Sequence, residues 1–252
     1  MKRLFCIASA LCLLFICSLY GCAKKLPQPA FPLSEETLMQ ETETSGFSWV
    51  LSEDETQSYQ EGHISYVLRD PSGKLSEEAI DTRLCASVSS AVVDGERELF
   101  LIFDSAPVST DGGKTPLAFA WEDWKAQLLF AARLYGGFAD ETALYQAFSA
   151  QAVPAGAQSF AYEAWFSNAY CRISYRTRDT HSVHTFPEAT ALAQAGMLRV
   201  NLYESEAAFQ REQAASEAKR AEWERARTDE ALRERLMEEL EEKRNRQTEG
   251  KR

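Results

Sequence analysis

Near the middle of the chain, TRLCASVSSAVVDGERELFLIFD joins two strand-like runs through Asp94-Gly95. That dipeptide suits the two-residue turn whose backbone twist matches paired antiparallel strands, so it commits its flanks to a hairpin. Leu84, Ala86 and Val88 alternate with Cys85, Ser87 and Ser89, which predicts one buried and one wet face on the first strand. The return strand, LFLIFD, is apolar on both faces and belongs in the interior of a sheet or beneath a helix.

Other strands read less strongly around this hairpin. Phe47–Leu51 and His63–Arg69 precede it, the second ended by Asp70-Pro71-Ser72-Gly73. SAPVSTDGGKTP reads as a loop. From Trp121 the period changes: Trp121, Trp124, Leu128, Ala131 or Ala132, and Tyr135 recur at helical spacing until Gly136 and Gly137 stop them. A second helix follows, with Asp140 as its N-cap and Leu144, Ala147 and Phe148 on one face. The short join predicts an αα-hairpin. SFAYEAWF and AYCRISYRTR then flank a turn at Ser167-Asn168, FPEATALAQAG reads as a short helix from Pro187 to Gly196, and MLRVNLYE is the last strand. Runs of strands followed by runs of helices predict an α+β fold: a mainly antiparallel sheet with the αα-hairpin on one face.

The sequence closes on a different composition. From Glu204 to Arg246 there is neither proline nor glycine, and alanine, glutamate and arginine dominate. Opposite charges recur at i,i+4, as in Arg220–Glu224, Arg225–Asp229 and Glu239–Lys243. Residues 204–252 therefore read as a long charged helical tail. Leu232, Leu236 and Leu240 form a short apolar stripe without a sustained heptad. A solvated single helix and a weak coiled coil or partner-docking helix both fit; Trp223 is the candidate contact for a protein partner.

The N-terminus is equally distinct. After the basic start MKR, residues 4–20 carry no charge, a run of about 17 residues near the lower limit for a membrane span. The form is that of a signal sequence. It ends on Leu19-Tyr20-Gly21-Cys22, which resembles the lipobox of bacterial lipoproteins: apolar residue, small residue, cysteine. Tyr20 is larger than the residue usual at its place. The resemblance covers the leader alone. It implies removal of residues 1–21, a diacylglycerol on the Cys22 sulfur, and Cys22 as the acylated N-terminus of a protein held on the membrane outside the cytoplasm. Two or more acyl chains anchor firmly because each buried methylene contributes about 0.8 kcal/mol. The competing reading retains the run as a transmembrane anchor and likewise exports the rest of the chain.

Residues 22–45 read as a tether. Pro27, Pro29 and Pro32 favour extended chain, while Glu35, Glu36, Glu41 and Glu43 make the segment polar. As a flexible chain it would span roughly 25 Å. A short helix from Ser34 to Gln40, capped by Ser34, is compatible with it. Residues 46–203 are then the globular domain.

A formal charge of −11 argues against nucleic acid or an anionic membrane face as a partner. Once Cys22 is lipidated, Cys85 and Cys171 are the remaining pair of an exported protein, bonded to each other or buried as free thiols. The chemical motifs are weak. His181-x-x-His184 has helical metal spacing but sits in a loop-like stretch, Asp111-Gly112-Gly113-Lys114 lacks the full phosphate-loop pattern, and Glu122 and Asp123 lie between core-patterned tryptophans. No metal, cofactor or catalytic group is implied. On the strand AYCRISYRTR, Cys171, Ile173 and Tyr175 point one way and Arg172, Arg176 and Arg178 the other. That arginine stripe runs against the acidic background and is the candidate contact for an anion or an acidic partner, unless acids such as Glu163 neutralise it. The expectation is a lipid-anchored, extracytoplasmic, non-catalytic binding protein. The alternatives are a cell-envelope enzyme, such as a glycan or peptidoglycan hydrolase, and a solute-binding transporter component.

Overall fold

A computed structural model describes residues 25–52, 63–71, 84–104, 108–109, 119–166, 168–180 and 193–226. Its centre is an antiparallel sheet. In chain order the strands are β1 (Val50–Leu51), β2 (His63–Arg69), β3 (Leu84–Val93), β4 (Glu96–Asp104), β5 (Val108–Ser109), β6 (Ser159–Phe166), β7 (Ala169–Thr180) and β8 (Ala193–Tyr203). They lie in the order β1-β2-β3-β4-β8-β7-β6, with β5 also paired to β8. The Asp94-Gly95 turn has φ of 52° and 83°, the left-handed geometry its residues favour. It sets the register Val93↔Glu96 through Ala86↔Phe103.

One face of the sheet is apolar. Ala86, Val88, Leu99, Leu101, Phe103, Ile173, Leu198, Val200 and Leu202 are all buried there. Onto them pack a 3₁₀ turn (Trp121–Trp124) and the helices α2 (Lys125–Tyr135) and α3 (Ala143–Ser149), preceded in the chain by α1 (Glu35–Thr44). Phe130 meets Phe103 edge-on at 6.1 Å, Trp124 meets Tyr175 at 5.9 Å, and Phe148 stacks on Phe166 at 5.3 Å. Such aromatic pairs add to the area they bury. The fold is α+β with an antiparallel sheet.

Residues 26–45 are not the tether their composition suggests. The Leu26 amide donates to the Phe138 carbonyl at 2.8 Å, and the Gly137 amide donates back to the Leu26 carbonyl at 2.9 Å. Leu33 and Leu38 are fully buried in the core, and the Leu33 amide donates to Ser90 Oγ on β3. Ser34 caps α1 by accepting from the Thr37 amide, with Glu35 and Glu36 in the first turn. The prolines sit ahead of the helix, where an extended path lets alternate apolar residues reach the domain.

Gly136 and Gly137 explain that docking. Both have positive φ, 71° and 76°. A Cβ at Gly136 would collide with the Pro27 carbonyl oxygen. The pair ends α2 and also leaves room for the N-terminal segment.

Three further expectations change. Residues 193–196 belong to β8 rather than to a short helix, and Gly196 is a close-approach glycine: a Cβ there would lie 2.9 Å from the Trp124 ring and 3.0 Å from Tyr175. Val108–Ser109, expected in a loop, adds to the edge of β8. Asp140 does not cap α3, which starts after Thr142; instead its carboxylate accepts from the Thr142 amide and hydroxyl, each at 2.8 Å.

The chain divides into two units at Ser205–Glu206. In the second, α4 runs from Glu206 to Ala226, with Trp223 exposed and Arg220 Nε 4.0 Å from Glu224. Leu232, Leu236 and Leu240 lie outside the described residues, as do the leader and Cys22. Among the described residues, no helix is long and apolar enough to cross a membrane.

Candidate functional site

The strand alternation that buries Cys171, Ile173 and Tyr175 against the helices turns Arg172, Ser174 and Arg176 to the opposite face. The neighbouring strand completes the site. β8 pairs with β7 in the register Arg172↔Asn201, Ser174↔Arg199 and Arg176↔Met197. Arg199 therefore sits opposite Ser174, diagonal to both Arg172 and Arg176 and within reach of long side chains. Three guanidinium groups share one patch of a chain whose formal charge is −11.

Their surroundings differ. On β6, Glu163 faces Arg172, with its Oε1 3.6 Å from the Arg172 Nε, and its other oxygen accepts from the Tyr170 hydroxyl at 3.1 Å. Arg172 is thus partly neutralised. Arg176 reaches the Met197 sulfur at 3.9 Å, a weak acceptor. Among the described residues no carboxylate lies within ion-pair distance of Arg176 or Arg199. The pKa of Arg199 is lowered, first by burial and then by the charges of Arg176 and Arg172, against which Asp104 acts. The guanidinium still stays charged at any physiological pH. The like charges raise one another's energy, and an anion placed among them would relieve this.

Guanidinium groups offer planar forks that match carboxylate and phosphate oxygens two at a time. The patch lies on a sheet face and suits an anionic group presented at a surface. Arg178 pairs with Ala195 through the backbone, and its side chain lies outside the described residues. Arg199 escapes a reading by sequence, because a single arginine in MLRVNLYE carries no signal until the β7–β8 register is known.

The other candidates do not gather. Neither Cys85 nor Cys171 forms a disulfide. They lie on β3 and β7, with β4 and β8 between, so about 14 Å of sheet separates them. They also face opposite sides of the sheet. Disulfide geometry requires Cα atoms within about 7 Å, so the pairing is excluded. Burial pushes the Cys171 thiol well up, and burial together with the Asp70 charge pushes that of Cys85 to about 11. Neither is set up as a nucleophile.

Trp124 is buried, and Trp121 packs against Phe119 at 4.8 Å while its indole donates to the Gln151 carbonyl. Glu122 is exposed; it accepts from the Tyr145 hydroxyl and lies 3.9 Å from Lys125. These contacts are structural. His181, His184 and residues 111–114 lie outside the described residues; among the described residues no metal-ligating cluster occurs.

No family model, curated protein or solved structure matches the chain.

Proposed function

We propose that this chain is a lipid-anchored binding protein, held on the outer side of a cytoplasmic boundary by acylated Cys22, and that Arg172, Arg176 and Arg199 form the surface that meets its ligand. The ligand class is anionic, bearing carboxylate or phosphate groups. The observation that carries this reading is the convergence of three arginines on a strongly acidic chain, two of them with no carboxylate within ion-pair distance among the described residues and only Asp104 acting on Arg199 from further off. The leader supports the anchoring half, because its apolar run stops at a cysteine followed by Ala23, Lys24 and Lys25.

The finer architecture belongs to the same proposal. α2 and α3 act as an αα-hairpin covering the apolar face, opposite to the exposed Arg176 and Arg199. The charged sequence beyond α4 continues as a helical arm, available to a protein partner.

Binding to polyglutamate, measured by titration calorimetry, tests the ligand class. Wild type should bind in a salt-sensitive manner, since exposed charge pairs are screened with a Debye length of about 10 Å at 0.1 M. Arg176→Gln with Arg199→Gln should abolish the signal and leave the melting temperature unchanged. Equal binding by wild type and the double variant would overturn the assignment.

A further inference from the structure

The docked N-terminal segment bears on the mounting of the domain. From Cys22 to Leu26 is four residues, and a fully extended chain of that length spans at most about 14 Å. Leu26 is fixed by two backbone hydrogen bonds to Gly137 and Phe138. An anchor at Cys22 therefore leaves no long tether, and the surface around Leu26 must lie close to whatever the lipid enters.

That surface can be identified. The ring of Phe138 lies 6.2 Å from that of Phe166, at the tip of the β6–β7 hairpin, and Asn168 in the same tip donates to the Gly136 carbonyl at 3.4 Å. The sheet register carries this level across the fold: Trp165↔Tyr170, Tyr170↔Tyr203, Tyr203↔Glu98, Glu98↔Ala91 and Ala91↔His63. One end of the sheet thus holds the chain entry at Leu26, the β6–β7 tip and the β3–β4 hairpin. It also holds two exposed large apolar side chains, Trp165 at 54% and Val92 at 40%. Val50, exposed to 43%, lies near the other end. It pairs with Arg69, beside the level that runs Ala86↔Phe103, Phe103↔Leu198 and Leu198↔Tyr175. Five residues along β7, from Tyr170 to Tyr175, separate the two levels by about 17 Å.

We propose that this end of the sheet, through Trp165 and Val92, rests on the bilayer that holds the Cys22 lipid; the inference rests on the lipoprotein reading above. Tryptophan suits the membrane–water interface, since its ring is apolar and its N–H finds polar partners at headgroup level. Lys25 is exposed beside the entry, while the exposed Asp94 and Glu204 lie at the same end. The covalent lipid and its short reach to Leu26 set the contact and the tryptophan adds to it; with Asp94 and Glu204 opposing Lys25, attraction to anionic headgroups adds little. The arginine face then stands upright on the membrane, with Arg176 about 20 Å above the Trp165 level, open to a ligand approaching from the side.

The test uses the lipidated full chain, purified from an envelope host and placed in vesicles of phosphatidylethanolamine with or without phosphatidylglycerol. An environment-sensitive fluorophore is attached to Trp165→Cys, Val92→Cys or Val50→Cys, each in a Cys85→Ser background. All three positions are exposed, and circular dichroism confirms that each variant folds. Nitroxide carried on the lipids should quench the label at 165, and that at 92, several-fold more than the label at 50, in both vesicle types. Equal quenching at the three positions, or stronger quenching at 50, would overturn the mounting. The mass of the N-terminal peptide separates the two failures. An acylated Cys22 with equal quenching refutes the mounting alone, whereas an unmodified Cys22 removes the lipoprotein reading and the mounting with it.

Discussion

Leu38→Ala is the perturbation that best separates a docked N-terminal segment from a tether. Leu38 is fully buried, and it sits on α1 directly below Thr42, whose hydroxyl donates to the Leu38 carbonyl at 2.9 Å. Truncation removes its transfer free energy and leaves a cavity that neighbours such as Leu33 fill only in part. Leucine-to-alanine changes at such sites cost about 2–5 kcal/mol. For a domain of this size each kcal/mol lowers the melting temperature by roughly 2–4 °C, so a fall of roughly 4–20 °C is expected. Alanine is the better helix former, so propensity works slightly against that fall and does not cause it. Glu36→Ala, an exposed first-turn position of the same helix, is the control and should cost no more than about 1 kcal/mol, the loss of its charge near the helix N-terminus. Thermal melts followed by near-ultraviolet circular dichroism would read both. If Leu38→Ala melts with Glu36→Ala, α1 does not belong to the core and the short reach from Cys22 to the domain disappears.

Two other substitutions probe the same junction. Gly136→Ala forces a side chain into a backbone region that only glycine populates easily, at φ 71° and ψ 178°, and against the Pro27 carbonyl. The backbone region alone costs about 1–3 kcal/mol. Gly156→Ala has open space around it and should cost less in urea titrations; equal losses would contradict the close approach. Glu41→Gln concerns pH. Burial raises the Glu41 pKa above 4.5, and the Arg133 guanidinium 3.6 Å away lowers it by less. The folded state therefore holds this proton more tightly than the unfolded state. The contribution favours the fold fully below 4.5 and is lost as pH rises through the raised value. At pH 7 the variant should be at least as stable as wild type, and wild type should gain on it as pH falls towards 4.5; a less stable variant at pH 7 would show that the Arg133 pair outweighs burial.

The sheet was legible because its signals are local. Asp94-Gly95 dictates a turn, and the alternation around Val88 and Ile173 dictates which face is buried. The arginine face followed from the same alternation on one strand. What escaped depends on partners distant in sequence. Leu26, Phe31, Leu33 and Leu38 are sparse among prolines and glutamates, and nothing nearby reveals that their partners lie around residues 88–138. Gly196 read as a helix stop because glycine commonly ends helices, whereas here it admits Trp124 and Tyr175. Arg199 is one cation on a mostly apolar strand, and only register against β7 makes it part of a cluster. Cys85 and Cys171 suggested a pair by number, and the four-strand arrangement that separates them appears only once β8 is inserted between β4 and β7.

Mass spectrometry of the mature N-terminal peptide, from protein made in a bacterial envelope host, bears most directly on the central claim. The account predicts that the mature chain begins at Cys22 and carries a diacylglycerol on its sulfur, and that Cys22→Ala leaves the leader attached and the lipid absent. A mature chain that begins elsewhere, or one that begins at Cys22 with an unmodified thiol, would contradict the lipid anchor and the surface mounting built on it.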